Sequence, residues 1–184
     1  MSVTSKGFVA LLRGINVGGH KRVPMVELRG LATSLGWQQV ATFIQSGNLV
    51  FVSSGSTAAL EGALEAEIVR HFGFSVEVIV RNARAWRGYA SRTPFREAQV
   101  ARPNRLLLAL SKRPPNPDAA ARLQPFAKAG EQIQLAGDAL WIDFAAGIGT
   151  SKLTPAVLDR AVGSTVTARN WTTVQKLAEL LAVT

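Results

Sequence analysis

The sequence predicts an α+β fold: two ferredoxin-like βαββαβ halves with a C-terminal helix. Three observations lead there. Short apolar runs of strand length alternate with segments whose apolar residues recur at helical spacing. Their order is strand, helix, strand, strand, helix, strand, and that order then repeats. Glycine-bearing polar segments sit where the chain must turn. Between the two series lies an arginine-rich stretch interrupted by Pro94 and Pro103. The expected organisation is residues 1–82 as the first half, 83–104 as a basic, partly helical connector, and 105–184 as the second half with the terminal helix.

The first series runs as follows. Phe8 to Arg13 is short and apolar, a strand, and Gly14 to Arg22 is a loop. Pro24 opens a helix at its first position, where a missing N–H costs nothing. Met25, Leu28, Leu31, Ala32 and Leu35 keep helical spacing up to Gly36, a left-handed stop. Val40 to Gln45 and Leu49 to Ser53 are strands joined by the tight turn Ser46-Gly47-Asn48. Thr57 caps a helix that turns Leu60, Leu64 and Ile68 inward, leaves Glu61, Glu65 and Glu67 on a solvated face, and ends at Gly73. Val76 to Val80 is the fourth strand. In the connector, Ala85, Trp86 and Tyr89 dock while Arg84 and Arg87 stay wet.

The second series begins with a strand at Leu106 to Ala109 and a helix at Pro117 to Ala129, bent or late-starting because of Pro125. Glu131 to Leu135 and Ala139 to Phe144 form a hairpin around Gly137-Asp138. Thr154 caps a helix with Pro155 at its first position, and Thr165 to Ala168 is a strand. The last helix runs from Trp171 to Leu181, with Trp171, Val174, Leu177, Ala178 and Leu181 on one face.

Composition narrows the function classes. With 184 residues, 47% apolar and 18% charged, the chain is long and apolar enough to bury a core. It has no cysteine, which excludes disulfides, thiolate metal sites and a cysteine nucleophile. Only His20 and His71 could supply imidazole, so no metal site is expected. No apolar run approaches the ~20 residues of a membrane span. The N-terminus lacks a secretory pattern, so the expectation is a cytoplasmic protein without a membrane partner. Net charge is +9, and nine basic residues against the single acid Glu97 place +8 of it between Arg81 and Arg113. Such clustering is the footprint of a phosphate or nucleic-acid partner, or else of a solvated connector.

Four segments place polar groups at strand ends or helix starts, where backbone N–H groups are free. Leu11 to Pro24 offers Arg13 and Asn16 as donors; its glycines do not match the spacing of a dinucleotide-binding loop. The hairpin turn offers Gln45, Ser46 and Asn48, which are also ordinary turn residues. Gly147 to Pro155 brings Ser151, Lys152 and Thr154 to a helix start, an anion-ready position, although its spacing is not that of a phosphate-binding P-loop. Thr167 to Val174 offers Arg169 and Asn170, with Asn170 as helix N-cap. A cation beside a helix N-terminus is unfavourable, so Arg169 calls for an anion or an internal carboxylate. No catalytic residue is expected. Ser46 or Ser151 with His20 and Asp143 could be combined on paper, but nothing in the spacing links them.

The stretches LLRGINVGG, VPM with Leu28, FIQSGNLVF, GIGTSKLT and TARNWTTVQKL together resemble the bacterial domain-of-unknown-function 1697 family (DUF1697). The resemblance implies a duplicated ferredoxin-like fold in a cytoplasmic bacterial protein and no established activity. The chain departs from it at Thr150 and Thr172, where the family usually carries a basic residue and asparagine. The reading favoured is a non-enzymatic module that binds an anionic ligand, a nucleotide or nucleic acid. Its ligand residues would be Arg13, Asn16, Gln45, Ser46, Asn48, Ser151, Lys152, Thr154, Arg169 and Asn170. The alternatives are an enzyme acting on a small phosphorylated or carboxylated metabolite, and a structural protein whose sheets associate by their edges. The sequence names no cofactor and fixes no oligomeric state.

Overall fold

The computed structural model describes residues 6–183. The first series contains β1 (Lys6–Leu12), α1 (Met25–Ser34), β2 (Gln38–Phe43), β3 (Asn48–Ser53), α2 (Thr57–Phe72) and β4 (Val78–Asn82). Two short helices come next, α3 (Ala83–Ser91) and α4 (Arg96–Ala101). The second series contains β5 (Leu106–Ser111), α5 (Ala119–Leu123), β6 (Gln132–Ala136), β7 (Ala139–Asp143), α6 (Pro155–Val162) and β8 (Val166–Asn170), and α7 (Trp171–Ala182) closes the chain. The strands form two four-stranded antiparallel sheets, ordered β2-β3-β1-β4 and β6-β7-β5-β8. Both are the ferredoxin-like arrangement, so the fold is α+β with two similar halves. The chain divides into two compact units, Met1–Arg87 with Lys176–Thr184, and Gly88–Gln175.

Strand alternation builds the core of the first unit. Phe8, Ala10 and Leu12 of β1 share a cluster with Leu49, Phe51, Val78 and Val80, and α1 and α2 supply Leu28, Leu31, Leu60, Leu64 and Ile68. Trp37 stacks on Phe51 with ring centroids 3.8 Å apart. Val9, Leu11, Val50 and Ile79 point to the opposite face and are buried as well. The second unit packs Ala109, Leu140, Ile142 and Val166 with Leu123, Leu158 and Val162. Each large apolar side chain among these contributes roughly 1.5–3 kcal/mol by leaving water.

Each sheet has two outer strands, β2 and β4 in one and β6 and β8 in the other, and every second N–H on such an edge strand faces away from its neighbour. On β4 these are the amides of Val78 and Val80. Glu65 Oε1 accepts from Val78 N at 2.8 Å, and Glu61 Oε1 accepts from Val80 N at 2.9 Å. The spacing fits. Four residues of helix rise about 6 Å and two residues of strand about 6.8 Å. The solvated face expected for these acids is therefore corrected: Glu61 is only 7% exposed. On β8, Asp159 of α6 does the same for Val166 N at 2.9 Å.

Other boundaries moved for local reasons. Pro24 is the N-cap of α1, in extended conformation, and Ser56 rather than Thr57 caps α2 by accepting from Ala59 N. The helix expected from Pro117 shrinks to α5 and a 3₁₀ turn over Gln124–Phe126, where Pro125 lacks the N–H that an α-helix would use. β8 continues through Asn170, so Arg169 is a strand residue placed directly before the cap of α7. No helix among the described residues is long and apolar enough to cross a membrane.

Removing the Glu61 carboxylate leaves a buried amide without its acceptor, which costs about 1–3 kcal/mol. Glu61→Ala is expected to lose that much stability in urea denaturation and to speed exchange of the Val80 amide hydrogen. Glu65→Ala, at a half-buried bond, is expected to lose less.

Candidate functional site

In the first unit the loop after β1 is strongly contorted. Gly14, Asn16, Gly18, Gly19 and Lys21 are left-handed, with φ of 63°, 56°, 59°, 79° and 46°. Asparagine tolerates this region better than most residues, and here it also supplies the restraint. Asn16 Nδ2 donates to Val23 O at 3.0 Å and to Gln45 O at 2.7 Å, and its Oδ1 accepts from Val23 N at 2.9 Å. Both amide hydrogens are thus committed to the backbone.

The β2–β3 turn is stitched to the same loop. Leu12 N donates to Gly47 O at 2.8 Å. Gly47 has φ of 75°, and a Cβ there would lie 2.7 Å from Leu12 Cβ and 2.8 Å from Ile15 Cδ1, so only glycine fits. Asn48 is 0% exposed and donates to Phe43 O at 3.0 Å and Ser46 Oγ at 2.9 Å. Loop and turn together enclose a concavity of about 460 Å³ lined by Asn16, Gly19, Arg22 and Gln45. Arg22 and Gln45 are exposed, and their side chains make no hydrogen bond or ion pair among the described residues. Arg13 is half-buried at the strand end, its amide donating to Glu77 O at 3.0 Å. Of the expected first-half residues, Asn16 and Gln45 meet in the concavity and Asn48 is buried. Arg22 is the candidate residue that sequence reading passed over; a cation two positions before Pro24 was its one signal.

In the second unit most of the expected donors are engaged by the fold. Ser151 Oγ donates to Glu131 Oε1 and accepts from Leu153 N at 3.1 Å, while Glu131 Oε2 accepts from Ala129 N at 2.8 Å. Thr154 caps α6, accepting from Val157 N at 3.4 Å. Arg169 is 9% exposed, and its Nη1 donates to Thr167 Oγ1 and Ala168 O, both at 2.9 Å. Burial pulls its guanidinium down to about 10, still protonated at neutral pH. Asn170 Oδ1 accepts from Thr173 N at 2.9 Å, the N-cap role expected of it. Lys152 is exposed, and its side chain makes no hydrogen bond or ion pair among the described residues. Asp143 is buried and held by Arg102, whose Nε reaches Oδ1 at 2.9 Å and Nη2 reaches Oδ2 at 2.6 Å. It is therefore committed to a bidentate pair.

The basic segment divides by partner. Arg81 donates to Val80 O at 3.0 Å, Arg105 to Ala145 O at 3.0 Å and Arg113 to Gly163 O at 2.8 Å, and Arg102 holds Asp143. Arg84, Arg87, Arg92 and Arg96 are exposed, and their side chains make no hydrogen bond or ion pair among the described residues. Arg92 and Arg96 line a concavity of about 340 Å³ with Ser91, Thr93 and Gln99.

The Ser151 hydroxyl, opposed by burial and aided by backbone amides, holds Glu131 below the ordinary carboxylate range. A depressed folded value means that its stabilisation is fully present above the unfolded value of about 4.3 and is lost as pH falls through the lower folded one. Urea denaturation of the wild type and Glu131→Gln should therefore show a stability gap that is constant above about pH 5 and closes in more acidic solution. A gap that widens on acidification contradicts this account of the loop.

The profile of the family described as Protein of unknown function (DUF1697) matches residues 6–141. Among solved structures, the conserved bacterial protein SP0830 from Streptococcus pneumoniae is similar, with a TM-score of 0.75 and 24% sequence identity over 97% of this chain and 99% of that one. At that identity the likeness is one of fold. Among curated proteins none matches. The match over residues 6–141 covers well over half of the chain, and the chain belongs to the DUF1697 family of proteins of unknown function.

Proposed function

We propose that the protein is a non-enzymatic module that binds an anionic ligand, a nucleotide or a nucleic-acid strand, through its phosphates. The observation that carries this reading is the concavity in which Arg22 and Gln45 face the solvent with no carboxylate among its lining residues. An arginine fork matches a phosphate in geometry and charge. The Gln45 carboxamide adds a donor and an acceptor of the kind that reads a base edge. The volume of about 460 Å³ suits a ligand of nucleotide size. Asn16 and Gly47 are the scaffold in this reading: they hold loop and turn at a fixed separation, so little ordering cost falls on binding.

Calorimetric titration with mononucleotides at low salt tests it. A hydrogen bond to a charged group is worth about 1.5–3 kcal/mol, so Arg22→Ala should weaken binding by about tenfold or more. Exposed as it is, Arg22 should leave the melting temperature unchanged. Absence of binding by the wild type, or equal binding by Arg22→Ala, contradicts the proposal.

A further inference from the structure

A second concavity in the same unit shares no residue with the first. Where β1 begins, Gly7 lies against α3 and α7: a Cβ there would meet Leu181 Cδ2 at 3.2 Å and Ala83 Cβ at 3.5 Å. Around these three residues is a cleft of about 460 Å³, and the rest of its lining is Lys6, Asn82, Arg84 and Arg87. Among the described residues, three cations and no carboxylate thus line one space. Lys6, Arg84 and Arg87 are exposed, and their side chains make no ion pair or hydrogen bond among the described residues.

The cations are held in place from behind. Arg84 and Arg87 are three residues apart and so share a face of α3. Trp86 is fully buried and anchors that helix. Asn82 closes the junction, its Oδ1 accepting from Ala85 N at 2.9 Å. Three like charges lining one cleft repel one another, and a polyanion relieves that repulsion while releasing its own counterions. We infer that the Lys6–Arg84–Arg87 cleft is a sequence-independent binding site for the phosphodiester backbone of a nucleic-acid strand. The inference rests on the nucleic-acid side of the function proposed above, at a separate site.

The lining decides between backbone and bases. Gly7, Ala83 and Leu181 offer no aromatic face on which a base could stack. The Asn82 side-chain oxygen already accepts from Ala85 N, which leaves its amide N–H groups as donors suited to a phosphate oxygen. The remaining feature is charge, which reads phosphate and not sequence. A concave site also suits a strand better than the flat surface of a bilayer.

The experiment uses the full chain and a labelled single-stranded oligonucleotide of mixed sequence, with affinity measured across a salt series. Each phosphate neutralised on a single strand adds about −0.7 to the slope of log K against log salt, so three cations predict about −2. The double variant Arg84→Gln, Arg87→Gln should lower the magnitude of that slope by about 1.4 while keeping the wild-type melting temperature. Scrambling the oligonucleotide should change nothing. The two sites separate cleanly: Arg22→Ala should keep the oligonucleotide slope, and the double variant should keep mononucleotide affinity. An unchanged slope in the double variant overturns the inference. So does a strong preference among sequences, or a variant that loses anionic-vesicle binding while its oligonucleotide binding is intact.

Discussion

An edge strand carries amide groups that its sheet cannot pair, and at one edge of each sheet carboxylates on the neighbouring helix take them. Glu61 and Glu65 serve Val80 and Val78, and Asp159 serves Val166. The bond does two things at once. It blunts an edge that would otherwise invite another strand, and it ties α2 along β4 and α6 to β8. The helices that follow β4 and β8 are positioned as a consequence. β4 passes into α3 and β8 into α7 with no connecting residue. The cations at the start of α3 therefore stand on a rigid junction and not on a loop.

That junction occurs twice, and residue by residue. In Val80-Arg81-Asn82 the arginine donates to the preceding carbonyl at 3.0 Å and the asparagine accepts from the amide three residues on at 2.9 Å. In Ala168-Arg169-Asn170 the same two bonds measure 2.9 Å and 2.9 Å. The internal repeat is thus written in side-chain roles as well as in element order. The halves diverge in the use they make of the next helix. α3 presents Arg84 and Arg87, whereas α7 opens with Trp171, whose ring lies 5.8 Å from Trp141.

Element order and the ferredoxin-like plan were legible in the sequence because apolar alternation and left-handed glycines are local signals. Gly36, Gly73 and Gly163 all end helices with positive φ. The roles of polar residues were less legible, because they depend on partners far along the chain. Glu61 is polar on an amphipathic helix and reads as solvated, yet its partner is 19 residues away on β4. Asn16 reads as a ligand donor, yet a loop with five left-handed residues needs its amide to hold the backbone. Arg169 reads as a cation in search of an anion, yet it is buried in a strand against Thr167. Composition located the positive charge of Arg81 to Arg113 correctly, but only the folded chain separates Arg102, bound to Asp143, from Arg84 and Arg87, which have no partner among the described residues.

The central claim is that the unpaired cations of the first unit are phosphate sites held on a rigid scaffold. Amide chemical shifts followed during titration with a short single-stranded oligonucleotide at low salt test it most directly. The account predicts shifts at Lys6–Phe8 and Asn82–Arg87 with the oligonucleotide, and at Asn16–Arg22 with a mononucleotide, both reversed by added salt, with the core strands β3 and β7 unmoved. No shift at low salt, or shifts centred on surfaces that lack these cations, would contradict it.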